Sequence, residues 1–197
     1  MNQQSQPAGL MEQLRAAGGW AILICNSLAV TWEVFLHRPS TFGERYLGPQ
    51  AAAAILLIPA FAIFWPEHDA SPLLVFLAGY LAMCFFIRLA TTIRRRTGGS
   101  QPHSYYPGES YISRLTHRFS ERTVKYMIEP MLAFIISTLM MALSRPLGSY
   151  LLVATFGLVA SNNLCITVNR ERLLDLHDAA IEAEQQAEEF REMRGDE

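Results

Sequence analysis

The sequence predicts an all-α protein, a polytopic integral membrane helix bundle of about five transmembrane helices. Three observations predict it. Of the 197 residues, 51% are apolar, and they bunch into long runs instead of recurring at a strand period or on a single helical face. Each run approaches the roughly 20 residues that a helix needs to cross a hydrocarbon core. Basic residues cluster between the runs, with seven of the sixteen Lys and Arg at positions 94–125, the kind of asymmetry that orients a membrane chain.

The runs cover residues 19–36, 47–65, 73–93, 124–143 and 147–168. The first carries Asn26, Ser27, Thr31 and Glu33, so it reads as a span, a re-entrant segment or an interfacial helix. In the last case four spans remain. The stretch before it, 1–18, is a polar leader with a single Arg and no small-residue cleavage pattern, unlike a secretory signal. Residues 19–168 form the bundle and include a basic loop, 94–123. Residues 169–197 form an acidic C-terminal helix.

Orientation follows from charge. The loop 94–125 holds Arg94, Arg95, Arg96, Arg114, Arg118, Arg122 and Lys125 against Glu109 and Glu121, which predicts that it is cytoplasmic. The acidic connection around Glu67 and Asp69 and the short turn around Arg145 then lie outside. The loop 37–46 and the C-terminus lie inside, in a cytoplasmic membrane. The predominance of Arg over Lys suggests a bacterial inner membrane. Arg94, Arg95, Arg96, Arg114, Arg118 and Arg122 are expected to contact anionic lipid headgroups. Ile112, Leu115 and Phe119 recur at helical spacing, which predicts one basic amphipathic helix over 110–123 lying on the membrane surface.

With that orientation, Glu33, Arg88, Glu129, Asn162 and Asn163 all fall in the cytoplasmic leaflet. Arg88 sits about 9 Å inside the end of its run at 1.5 Å per residue. A charge at the membrane centre costs on the order of 3 kcal/mol, so such groups face protein or water and find partners. The cluster is expected either to line a cytoplasm-facing pocket or to pack the bundle, with Arg88 snorkelling or pairing with Glu129. The Glu129–Pro130 step reads as a helix start, and Pro59 predicts a bend in the second run. Gly157 and Ser161 form a small-xxx-small pair suited to close helix packing.

The acidic segment 170–197 has ten carboxylates and four Arg, a formal −6. Leu173, Leu176, Ala180, Ala183, Ala187 and Phe190 recur at alternating +3 and +4 spacing, a heptad seam nearly three repeats long. It reads as a solvated terminal helix or as a self-association or partner-docking helix. Cys25, Cys84 and Cys165 all lie in apolar runs, where thiols behave as small hydrophobes. His103 and His117 have no second ligand at metal spacing, and no nucleophile motif surrounds any Ser. No catalytic residue, metal or cofactor is therefore expected. The basic residues are explained by topology without nucleic acid. The reading is a non-enzymatic membrane subunit or scaffold that forms a homo-oligomer and engages a cytosolic protein through its basic loop and acidic helix. The alternative is a small channel or transporter with a pocket around Arg88, Glu33, Glu129 and Asn162.

Overall fold

The computed structural model describes residues 10–97, 104, 106–115 and 120–195. The element order is α1 (Leu10–Leu36), α2 (Pro49–Ala60), α3 (Ser71–Arg96), α4 (Tyr111–Leu115), α5 (Glu121–Thr123), α6 (Glu129–Leu143) and α7 (Arg145–Gly195). Short 3-10 turns cover Pro39–Thr41 and Phe61–Phe64, and a π-helical turn covers Val124–Ile128. Among the described residues there is no strand, only an isolated bridge between His37 and Ser110. Four helical stretches are long and apolar enough to cross a membrane: Gly18–Leu36, Ser71–Arg96, Glu121–Leu143 and Arg145–Ala187. A shorter apolar helix covers Pro49–Phe64. The chain divides into two compact units, Met1–Ser161 and Asn162–Glu197.

The first unit is built around α1, the run whose polar residues left its role open. About 44% of its apolar window is buried, against 17–33% for the other three long helices. Its polar side chains are those that face protein. Ser27 Oγ donates to the Leu23 carbonyl at 2.7 Å, and Thr31 Oγ1 meets the Tyr150 hydroxyl of α7 at 2.9 Å. Trp32 Nε1 donates to the Leu151 carbonyl at 3.2 Å. Ser161 Oγ donates to Asn26 Oδ1 at 2.9 Å. A buried unpaired polar group costs free energy, so a helix with this composition packs against its neighbours in the unit.

The outer helices show the reverse pattern. Leu73, Tyr80, Ile87 and Thr91 mark the one buried face of α3, while Leu74, Val75, Leu81, Phe85, Phe86, Leu89 and Ile93 are exposed. On α6 the buried positions include Ala133 and Ser137, with Met131, Phe134, Ile135 and Leu139 exposed. An apolar exterior of this extent fits contact with lipid and not with water.

Three prolines shape the helices. Pro59 lies inside α2, where it leaves the carbonyl one turn earlier without its helical N–H, and the 3-10 turn Phe61–Phe64 follows directly. Pro130 takes the first turn of α6, as the Glu129–Pro130 step predicts, but the helical chain already runs into it without a free end. The helical stretch begins at Glu121, and the π-helical turn Val124–Ile128 precedes Pro130. There the Glu129 N–H reaches back to the Val124 carbonyl. That i→i−5 bond is the mark of a π-helical turn. Pro49 occupies the first turn of α2, where it costs little.

The amphipathic helix expected over 110–123 is not continuous. Helix α4 covers Tyr111–Leu115, and Ser120 then starts a new helix by accepting the Thr123 N–H at its Oγ. Ser120 competes with the backbone and favours a cap. Phe119, Arg118, His117 and His103 lie outside the described residues.

Two glycines mark close helix approaches within the first unit. A Cβ on Gly148 would lie 2.3 Å from the Met141 backbone, and one on Gly157 would lie 2.4 Å from Leu28 Cβ and 3.2 Å from the Cys25 carbonyl. Gly157 and Ser161 therefore serve packing of α7 on α1 of the same chain. Gly148→Ala should cost about 1–3 kcal/mol through overpacking, because its obstacle is backbone and cannot rotate away. A lower thermal midpoint for Gly148→Ala than for Gly79→Ala in detergent checks this, since Gly79 meets nothing within 4 Å.

Candidate functional site

The polar residues of the first unit converge where α1 ends. His37 follows α1 directly and is 1% exposed, and Glu129, at the junction of the π-helical turn with α6, is fully buried. His37 Nε2 lies 3.1 Å from both Glu129 carboxylate oxygens, and Nδ1 lies 2.8 Å from the Pro107 carbonyl. A carbonyl only accepts, so Nδ1 carries a proton. A second proton must then lie between Nε2 and the carboxylate. The Tyr46 hydroxyl donates to Glu33 Oε2, and Glu33 lies within electrostatic range of His37, Lys125 and Glu129. Among the described residues, every buried side-chain nitrogen and oxygen has a partner.

Two loop segments, 38–45 and 104–109, pair as a cap beside these side chains. Arg38 N–H donates to the Glu109 carbonyl, Gly43 N–H to the Tyr106 carbonyl and Arg45 N–H to the Ser104 carbonyl, each at 2.9 Å. The Glu109 N–H donates to Thr41 Oγ1 at 2.8 Å. Gly108 sits at φ +90° with Phe42 and Thr41 against it, a backbone region open to glycine. Tyr106 donates to Glu121 at 3.2 Å, and burial followed by that carboxylate pushes its phenol up to about 12.

Arg88 takes no part in the pair. Its guanidinium donates to the carbonyls of Glu44, at 3.3 Å, and Leu47. Arg94 likewise donates to the carbonyls of Ser40 and Phe42, the latter at 2.6 Å. Two arginines one and a half turns apart thus satisfy four carbonyls of the loop 38–48, and Arg94 turns toward protein. The partners recorded for Arg88 are therefore backbone oxygens in place of Glu129 or bulk headgroups. A cavity of about 150 Å³ beside it is lined by Glu44, Arg88, Thr91, Thr92 and Arg95. Glu33 and Glu129 are absent from that lining.

Asn162 and Asn163 belong to the second unit. The seam residues Leu173, Leu176, Ala180, Ala183, Ala187 and Phe190 are all exposed along α7. Arg95, Arg96 and Arg122 are exposed as headgroup contact requires, while Arg118 and the side chain of Arg114 lie outside the described residues. Among the described residues no three His, Cys, Asp or Glu side chains converge as a metal site would need.

Sequence reading placed Glu33 and Glu129 together but missed their partners His37 and Tyr46, which sit in the loop beyond the apolar run. The available signal was spacing. His37 falls four residues after Glu33, on the same helical face one turn on.

Burial by itself lowers the affinity of His37 for protons. The hydrogen bonds and charge of Glu129, with the charge of Glu33 and the Pro107 carbonyl, outweigh it and raise the imidazole above its ordinary value. A raised folded-state value adds stability that is fully present below the unfolded value of about 6.5 and is lost as pH rises through the folded value. Thermal stability in detergent should therefore fall on the alkaline side of about pH 6.5, and His37→Ala should flatten that fall. Glu129→Ala should cost about 3–5 kcal/mol by leaving a buried partner uncompensated, measured as lost thermal stability at neutral pH.

No family model matches the chain, and comparison with curated proteins and with solved structures finds no match.

Proposed function

We propose that the chain is a non-enzymatic membrane subunit that crosses the bilayer five times and assembles through its C-terminal helix. The cap supports five crossings. The loop 38–48 hydrogen-bonds both to the C-terminal part of α3 and to the segment 104–110 that follows it. The chain leaves that loop, passes through Pro49–Phe64 and returns along α3. A return to the same side needs an even number of crossings, so Pro49–Phe64 crosses as well. Its twelve α-helical and four 3-10 residues reach about 26 Å, close to the ~30 Å core. The seven basic residues of 94–125 then put the cap and the C-terminus in the cytoplasm and the N-terminus outside.

The observation that carries the assembly reading is the exposed seam. With Leu173 at position a, the residues Leu173, Leu176, Ala180, Ala183, Ala187 and Phe190 fill a and d. Seven of the eight carboxylates between Glu171 and Glu192 fall at b, c and f, away from the seam. Copies inserted the same way present their tails on the same side, which favours parallel pairing. In that pairing g and e′ bring together Arg172 with His177, Ala179 with Glu184 and Gln186 with Arg191, and no two carboxylates oppose. A cytosolic protein with a matching helix is the other partner of this kind.

Native mass spectrometry from mild detergent should give an oligomer for the full chain and a monomer after removal of residues 173–197. Leu176→Asp should have the same effect as truncation. A full chain that is monomeric and carries no co-purifying protein would exclude this reading. The channel alternative draws less support, since Arg88 is engaged by loop carbonyls and the two buried glutamates by Tyr46 and His37. Liposome flux abolished in Arg88→Ala while assembly survives would favour it instead.

A further inference from the structure

The cavity beside Arg88 has a chemistry that neither assembly nor the buried pair uses. Arg88, Thr92 and Arg95 are spaced +4 and +3 and share one face of α3, and with Thr91 and Glu44 they line a space of about 150 Å³. We propose that this space binds a phosphate group, presented by the headgroup of an anionic phospholipid in the cytoplasmic leaflet.

Arg88 is held in place by the carbonyls of Glu44 and Leu47. Those two bonds leave three of the five guanidinium N–H donors, so the group is fixed without being used up. Thr91 and Thr92 both donate to one acceptor, the Arg88 carbonyl, at 2.9 and 2.8 Å. Either hydroxyl can rotate toward an anion while the other keeps that carbonyl satisfied, and Thr92 is the exposed one. Arg95 is 73% exposed, and its contact with Glu44 stretches to 4.0 Å. An exposed pair of that length contributes little, whereas a phosphate offers Arg a short, charge-assisted bidentate contact. The stripe from Arg88 to Arg95 rises about 10 Å along the helix, comparable with the headgroup layer of about 5–8 Å on each side of a bilayer. The carboxylate of Glu44 is the one group in the cavity that opposes an anion.

The test uses the full chain in nanodiscs of phosphatidylglycerol and phosphatidylcholine in equal amounts, released for native mass spectrometry. Wild type should retain phosphatidylglycerol in preference to phosphatidylcholine. Arg95→Gln should reduce retention about tenfold, the worth of one charge-assisted hydrogen bond. Thr92→Val should reduce it less, and Glu44→Gln should increase it. Arg96→Gln, a quarter turn off the stripe, should reduce it less than Arg95→Gln does. Arg95, Arg96 and Glu44 are not buried, and unchanged thermal midpoints confirm that each variant folds. A second arm adds millimolar inorganic phosphate. Lipid retained in its presence supports the headgroup as source, and lipid displaced by it supports free phosphate at the same cradle. Equal retention in Arg95→Gln and Arg96→Gln, or a loss in Glu44→Gln, overturns the site.

Discussion

The buried contact of His37 with Glu129 is the constraint on which the polar end of the first unit depends. It joins the end of α1 to the start of α6, and through Nδ1 it fixes the segment around Pro107. A buried acid with no partner would carry several kcal/mol of desolvation, so the loop 38–48 and the segment 104–110 must close over it. The π-helical turn before Pro130 belongs to the same solution. It lets a proline sit beside Glu129 inside a continuous helical stretch and keeps the carboxylate facing His37.

The other polar groups of the first unit obey the same rule at lower stakes. Where lipid replaces water, backbone and side-chain polar atoms must find partners within the protein. Ser27 bonds back to the Leu23 carbonyl of α1 itself, Thr31 meets the Tyr150 hydroxyl of α7, Glu33 takes the Tyr46 hydroxyl, and Arg88 and Arg94 take four loop carbonyls. The arginines thereby add side-chain donors to a loop whose N–H groups bond to the segment 104–109 and to its own turns. The outer faces of α3 and α6, free of such duties, are almost wholly apolar.

Much of this was legible in the sequence because membrane helices must be apolar over a fixed length. Four of the five runs appear as helices long enough to cross, and the fifth, Pro49–Phe64, is shorter. The polar residues of α1 were the ambiguous signal, because composition does not say which way a side chain faces. Arg88 was ambiguous for the same reason, since snorkelling, pairing and carbonyl binding all begin from one arginine at one depth. His37 and Tyr46 were missed because they follow the run, where a titratable residue looks like ordinary loop. The helix over 110–123 was misread because Ser120 fits an amphipathic pattern but acts as a cap.

The sequence by itself determined the class, the apolar helices, the charge asymmetry and the heptad seam. Each of these depends only on run length, period or composition along the chain. Only the tertiary structure decided that α1 is the central helix of its unit, that Glu129 belongs to His37, and that Arg88 and Arg94 hold the loop 38–48. Those outcomes depend on groups 41 to 135 residues apart in the chain meeting in a low-dielectric interior. There a partner is obligatory, and its identity is set by which helices lie side by side.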